Sequence, residues 1–194
     1  MPISFPVDGR IRIACAPARS LIEAGLVPDH GKVELALARN RMSDRGGYYA
    51  RWIFVRVESS SCVFTRRLES GAVLPLPVAH GEGRFTSADA ERMPALLAAG
   101  QVPLRYATAD GAVAETFPAN PNGAELAAAA VCNRAGNVLA MMPHPERAQD
   151  LGALARAVSG PWSERREQAM STGQADAEGP GLALFHGLKR HLED

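Results

Sequence analysis

Eighteen glycines and fourteen prolines punctuate this chain of 194 residues, and the runs between them are short. Short runs favour paired strands over a bundle of long helices, because an isolated helix needs several unbroken turns before its packing face is useful. The length suits one domain of about 150 to 200 residues, so residues 1–194 are read as a single unit. Hydrophobic residues make up 46% and charged residues 22%, which supports a packed core and excludes disordered and collagen-like classes. Lys and Arg total 21, as do Asp and Glu, so no bulk charge draws the chain to nucleic acid or to an anionic membrane.

The longest apolar run, Leu126 to Cys132, falls far short of the roughly 20 residues of a membrane span. The opening Met1 to Arg10 has neither the cationic start nor the apolar stretch of a secretory signal, and a cytoplasmic location is expected. Three cysteines, Cys15, Cys62 and Cys132, are an odd number without a C-x-x-C pair. That pattern argues against a disulfide framework and a structural zinc site, and no metal ligation is expected. Cys62 and Cys132 read as small core residues, and His30, His186 and His191 as solvated.

Arg51 to Glu58, rich in β-branched and aromatic residues, predicts a strand, and Val33 to Ala38 a weaker one. The turn-forming Met42 to Gly47 between them predicts an antiparallel hairpin. Further strands are expected at Val73 to Ala79, Pro103 to Ala107, Ala128 to Asn133 and Val138 to Met142, the last two joined by the R-A-G-N turn. Thr86, with Asp89 three residues on, predicts a capped helix that runs to Gly100. Leu182, Phe185, Leu188 and Leu192 predict a closing helix, preceded by a flexible loop over 171–181.

Chemistry concentrates in M-M-P-H-P-E-R, Met141 to Arg147. Prolines on both sides of His144 predict a stiff, extended segment. Residues two apart in extended chain project to one side about 6 to 7 Å apart, so Glu146 can reach one imidazole nitrogen of His144 and leave the other as a base. That is the base and orienting carboxylate of a catalytic triad, or else a surface pair at a strand end. In H-G-E-G-R, Gly81 and Gly83 predict a sharp turn that exposes His80, Glu82 and Arg84 to a ligand. In N-P-N-G, Asn120 to Gly123, turn chemistry explains each residue.

Together, M-M-P-H-P-E-R, F-P-A-N-P-N-G (Phe117 to Gly123), H-G-E-G-R and R-W-x-x-x-R-V-E (Arg51 to Glu58) resemble, in order, the glutaminase subunits of phosphoribosylformylglycinamidine synthase. The resemblance covers about Leu21 to the last helix. It implies an α/β fold: a flavodoxin-like class I glutamine amidotransferase domain, here N-terminally truncated and carrying the antiparallel hairpin as an insertion. It implies a Cys-His-Glu triad of Cys15, His144 and Glu146, with His80, Gly81, Glu82, Gly83, Arg84 and Asn122 as glutamine-site residues.

The resemblance further implies glutamine hydrolysis to glutamate and ammonia, for ATP-dependent conversion of formylglycinamide ribonucleotide to its amidine in purine biosynthesis. The implied partners are a synthetase subunit, which would hold ATP and magnesium, and a small bridging subunit; no cofactor is implied on this chain. The family's nucleophile sits in a glycine-flanked elbow, G-x-C-x-G-x-Q, whereas this chain has Ile13, Pro17 and Arg19 around Cys15. Two readings of Cys15 therefore stand, nucleophile or inert thiol. For the whole chain the rivals are a non-catalytic partner-binding module of the same descent and a related γ-glutamyl hydrolase.

Overall fold

The structure is a computed structural model that describes residues 12–14, 18–43 and 45–193. In chain order the elements are β1 (Arg12–Ala14), α1 (Ala18–Glu23), β2 (Ala36–Arg39), β3 (Tyr49–Val57), β4 (Val73–His80), β5 (Glu82–Thr86) and α2 (Arg92–Ala98). They continue with β6 (Leu104–Ala107), β7 (Ala128–Cys132), β8 (Val138–Met141), α3 (Pro161–Ser171) and α4 (Leu182–Glu193). Single 3-10 turns lie at Glu125–Ala127 and Pro145–Arg147.

Six strands form one sheet in the order β1-β8-β7-β6-β3-β4. β1 runs parallel to β8, with Ala14 opposite Ala140, and the remaining neighbours are antiparallel. Every residue of β7 and β8 is buried, the composition expected where both faces of a strand are covered. The period-two alternation sends Leu139 and Met141 into one apolar cluster with Val55, Leu76 and Leu184. Val138 and Ala140 enter the other, with Ile22 of α1 and Met93 and Leu96 of α2. Helices thus flank an α/β sheet, and among the described residues no helix is long and apolar enough to cross a membrane.

The expected hairpin between 33–38 and 51–58 does not form. β3 has β4 on one edge and β6 on the other, so no edge remains for β2. β2 instead pairs antiparallel with β5 in a separate two-stranded sheet. H-G-E-G-R is accordingly the crossing point between two sheets: His80 ends β4, and Glu82 to Arg84 lie in β5. Thr86 also closes β5 and caps no helix; α2 begins at Arg92, after a turn in which the Ser87 hydroxyl and Asp89 carboxylate accept backbone N–H bonds. α3 was not anticipated, because its sequence P-W-S-E-R-R-E-Q-A-M-S buries only Ala169 and carries almost no apolar periodicity.

Segment 171–181 begins with the last residue of α3 and then runs beside 148–152. Backbone N–H groups of Leu151 and Gly152 donate to Ala177 and Ala175, and those of Gly179 and Gly181 donate to Gln149 and Ala148. Its G-P-G end is buried, and its glycines serve close backbone approach. A Cβ on Gly179 would meet the Ala148 carbonyl oxygen at 2.6 Å, and one on Gly181 would collide with the Pro145 carbonyl. Gly181→Ala is therefore expected to destabilise the fold by about 1–3 kcal/mol in chemical denaturation, as overpacking against backbone does.

Candidate active site

The loop that carries His144 leaves β8 and is fastened to the other end of the sheet order. Its backbone N–H donates to the Pro77 carbonyl of β4 at 2.8 Å. β4 is an edge strand, which is where Pro75 and Pro77 are tolerated in a sheet. His144 itself has φ −107° and ψ 82°, outside the helical region as its flanking prolines require. The expected extended run ends there, because Pro145 starts a 3-10 turn; its ring presets φ for a first helical turn. That turn brings Glu146 Oε1 to 2.6 Å from His144 Nδ1, so the carboxylate accepts from the ring through a tighter path than the strand geometry envisaged. The His144 side chain is 12% exposed and that of Glu146 45%, with Arg147 Nε 3.7 Å from the same carboxylate oxygen.

His144 shares a cavity of about 240 Å³ with Arg19, Leu37, Ala79, His80, Glu82 and Met142. Leu74, Leu76 and Val78 alternate into the core along β4, and His80 continues that phase, which is why it is buried. Its Nδ1 lies 3.1 Å from Asn40 Oδ1, and its Nε2 is buried without a hydrogen-bond partner among the described residues. Burial, and then the charge of neighbouring His144, lower the His80 pKa to about 4. At the cavity mouth Glu82 receives Arg19 Nη1 at 3.0 Å and Arg39 Nε at 3.7 Å.

The six residues expected at the glutamine site divide. His80 and Glu82 line the cavity. Gly81 and Gly83 make no left-handed turn; Gly83 is required sterically, since a Cβ there would sit 2.5 Å from the His80 ring. Arg84 points its Nε back to the Arg39 carbonyl. Asn122 is fully buried, and its amide is spent on the framework: Nδ2 donates to the Gly83 carbonyl at 2.6 Å and to Tyr106 Oη at 3.1 Å, while Oδ1 accepts from Ala124 N–H. It thereby holds Gly83 of β5 in place.

Cys15 lies outside the described residues. In sequence it directly follows Ala14, the last residue of β1. Cys62 and Cys132 are buried in the core, and their contact, with burial, pushes the Cys132 thiol up. Arg19, read in the sequence only as a departure, is a cavity residue; the signal available was its place four residues after Cys15 in the sequence. His30 is not solvated: its Nδ1 is 2.8 Å from Glu34 and its Nε2 3.2 Å from Gln101. Among the described residues, no group of three or more His, Cys, Asp or Glu side chains is arranged to hold a metal ion.

The depressed His80 pKa makes stability pH-dependent. Unfolded, the imidazole binds its proton near the usual 6.5; folded, only near 4, so the unfolded state holds more protons between these values. Stability is expected to be full above about pH 6.5 and to fall by roughly 3 kcal/mol as pH drops to about 4. Denaturation curves across pH 4 to 8 should show this slope in the native chain and a flatter one in His80→Gln.

A family model, CobB/CobQ-like glutamine amidotransferase domain, matches residues 13–189. A phosphoribosylformylglycinamidine synthase subunit PurQ from Methanothrix thermoacetophila is 34% identical over 187 residues, 93% of this chain and 66% of the relative. The subunit of the same name from Thermomicrobium roseum is 44% identical over 136 residues, 70% of this chain and 52% of the relative. Among solved structures, a chain of PurLQS from Thermotoga maritima aligns with a TM-score of 0.49 and 29% identity, over 80% of this chain and 57% of that one. The chain thus spans about half to two-thirds the length of these curated relatives. With its α/β sheet and the family match over most of its length, this chain belongs to the CobB/CobQ-like glutamine amidotransferase family.

Proposed function

We propose that this chain is the glutaminase component of a phosphoribosylformylglycinamidine synthase, releasing ammonia from glutamine for purine biosynthesis in the cytoplasm. The observation that carries the reading is the His144–Glu146 pair at 2.6 Å beside a cavity, in a chain of the amidotransferase family. A carboxylate on one ring nitrogen fixes the tautomer and stabilises the imidazolium that forms when the ring takes a proton. Relatives named as subunits of that synthase support the same assignment and a synthetase partner; a small bridging subunit is a further proposed component. ATP and magnesium would belong to the synthetase.

Cys15 is the proposed nucleophile. It follows β1, whose parallel neighbour β8 leads into His144, and ligands of parallel strands collect beyond their carboxyl ends. The thiolate attacks the carboxamide carbon of glutamine, and the C–N bond breaks as His144 gives a proton to the leaving nitrogen. Ammonia departs. Water, losing a proton to His144, then attacks the thioester carbon; the C–S bond breaks, glutamate leaves and the thiolate returns. His80 and Glu82 are the proposed glutamine contacts, with Gly81, Gly83, Arg84 and Asn122 shaping the wall behind them.

Glutamate release from glutamine tests the reading. Cys15→Ser and His144→Asn are each expected to lower turnover by roughly 10²-fold or more, and Glu146→Gln by at least about tenfold with little change in KM. Turnover unaltered by Cys15→Ser and His144→Asn would remove the triad from the mechanism, whereas no turnover in the native chain would leave it as a partner-binding member of its family, a reading that Ile13 and Pro17 around Cys15 favour. Turnover of γ-glutamyl peptides in preference to glutamine would point to a hydrolase instead.

A further inference from the structure

The pairing of β2 with β5 slips by one residue at the cavity. Ala36, Leu37 and Ala38 stand opposite Thr86, Phe85 and Arg84, but Arg39 stands opposite Glu82, so Gly83 is an extra residue, a β-bulge in β5. Side chains alternate along a strand, and a regular β5 would send Glu82 to the side of Arg84, away from that of Phe85. The extra residue shifts this phase. Residues opposite each other in an antiparallel pair share a face, and Arg39 lies on the same face of β2 as Leu37. Glu82 is thereby brought to the face of Leu37: its Oε1 is 3.7 Å from Arg39 Nε, and Leu37 and Glu82 line the cavity of His144 together. Re-aiming a side chain is what bulges beside active sites do.

A bulged residue drops out of the ladder, so its backbone groups need partners elsewhere. Two buried asparagines supply them. Asn40 Oδ1 accepts from Gly83 N–H at 3.3 Å, and Asn122 Nδ2 donates to the Gly83 carbonyl at 2.6 Å. Asn40 reaches further, because its Nδ2 donates to the His80 carbonyl at 2.8 Å and to that of Gly47 at 3.1 Å, and its backbone N–H donates to the Gly81 carbonyl at 2.9 Å. It thus bonds His80, Gly81 and Gly83, on both sides of Glu82. The bulge also needs a glycine, since a Cβ at position 83 would lie 2.5 Å from the His80 ring.

We propose that Asn40 is a positioning residue for glutamine binding, holding the Gly83 bulge that turns the Glu82 carboxylate into the cavity. The inference rests on the amidotransferase reading, in which Glu82 is a glutamine contact. Asn40 is 7% exposed and its amide is engaged by the framework, so it acts through Glu82 and not on the ligand. The Glu82 side chain, 45% exposed at the cavity mouth, is open to the N–H groups of a ligand. Without the Asn40 acceptor the buried Gly83 N–H is left unpaired, and a return to regular pairing relieves that cost by carrying Glu82 to the other face.

Dissociation constants for L-glutamine, measured by calorimetry on the full chain in the Cys15→Ser background, test the proposal as a double-mutant cycle. Glu82→Ala and Asn40→Ala are each expected to weaken binding about tenfold or more. The double variant should bind no more than about threefold worse than Glu82→Ala alone, because Asn40 then has no carboxylate left to position. Gly83→Ala disturbs the bulge by a separate route and should behave as Asn40→Ala does; it carries the cycle if Asn40→Ala does not fold. With Cys15 present, Asn40→Ala should raise glutamine KM and leave kcat within about threefold, whereas a general loosening of the fold would lower kcat through His144. Undiminished binding in Asn40→Ala and Gly83→Ala, or losses that multiply with Glu82→Ala, overturns the positioning role alone. No glutamine binding to the Cys15→Ser chain itself overturns the amidotransferase reading, and the inference with it.

Discussion

The backbone bond from the His144 N–H to the Pro77 carbonyl joins the two halves of the candidate site. β8 and β4 are separated by β7, β6 and β3 in the sheet order, yet the loop after β8 reaches across and closes on the edge of β4. Pro75 and Pro77 remove donors from that edge strand, and the loop uses an acceptor that remains. With the His144 loop anchored at Pro77, His80 stands three residues further along the same strand. Both residues then line one cavity.

Around this anchor, backbone passes directly over backbone. Gly179 and Gly181 let the segment after α3 lie on the carbonyls of Ala148, Asp150 and Pro145, beneath the turn that presents Glu146. On the other side Asn122 and Asn40 use their amides to hold Gly83 and the end of β4. The side-chain amides of Asn40 and Asn122 have their hydrogen bonds within the framework, and His80, which they surround, is a cavity residue. Catalysis by an oriented base needs such a rigid surround, because small misplacements of the base cost orders of magnitude in rate.

The His144–Glu146 pair was legible because the two residues are only two apart and Pro145 restricts the path between them, even though the path proved to be a 3-10 turn. Strands β3, β4, β6, β7 and β8 were legible from their β-branched and apolar runs and the glycines and prolines that end them. Three features were not. The partner of β2 depends on which edges of β3 are occupied, and edge occupancy is a property of the whole sheet. The G-P-G of 179–181 has the composition of a flexible linker, but the same lack of side chains permits close packing; only the neighbouring backbone distinguishes the two. α3 buries so little that no periodicity announces it.

The amino-acid order alone determined the local chemistry: which imidazole and which carboxylate pair, where proline and glycine end each run, and the alternation along β4 that carries His80 inward. Tertiary structure alone decided which of these groups meet. Arg19, the His80–Glu82 stretch and His144 come from three separate segments, and His80 is held by an asparagine 40 residues earlier in the chain. Covalent neighbours set conformation through sterics and torsion, which act over a few residues. A buried nitrogen's protonation depends on the polar atoms packed around it, and those are assembled only when the sheet closes.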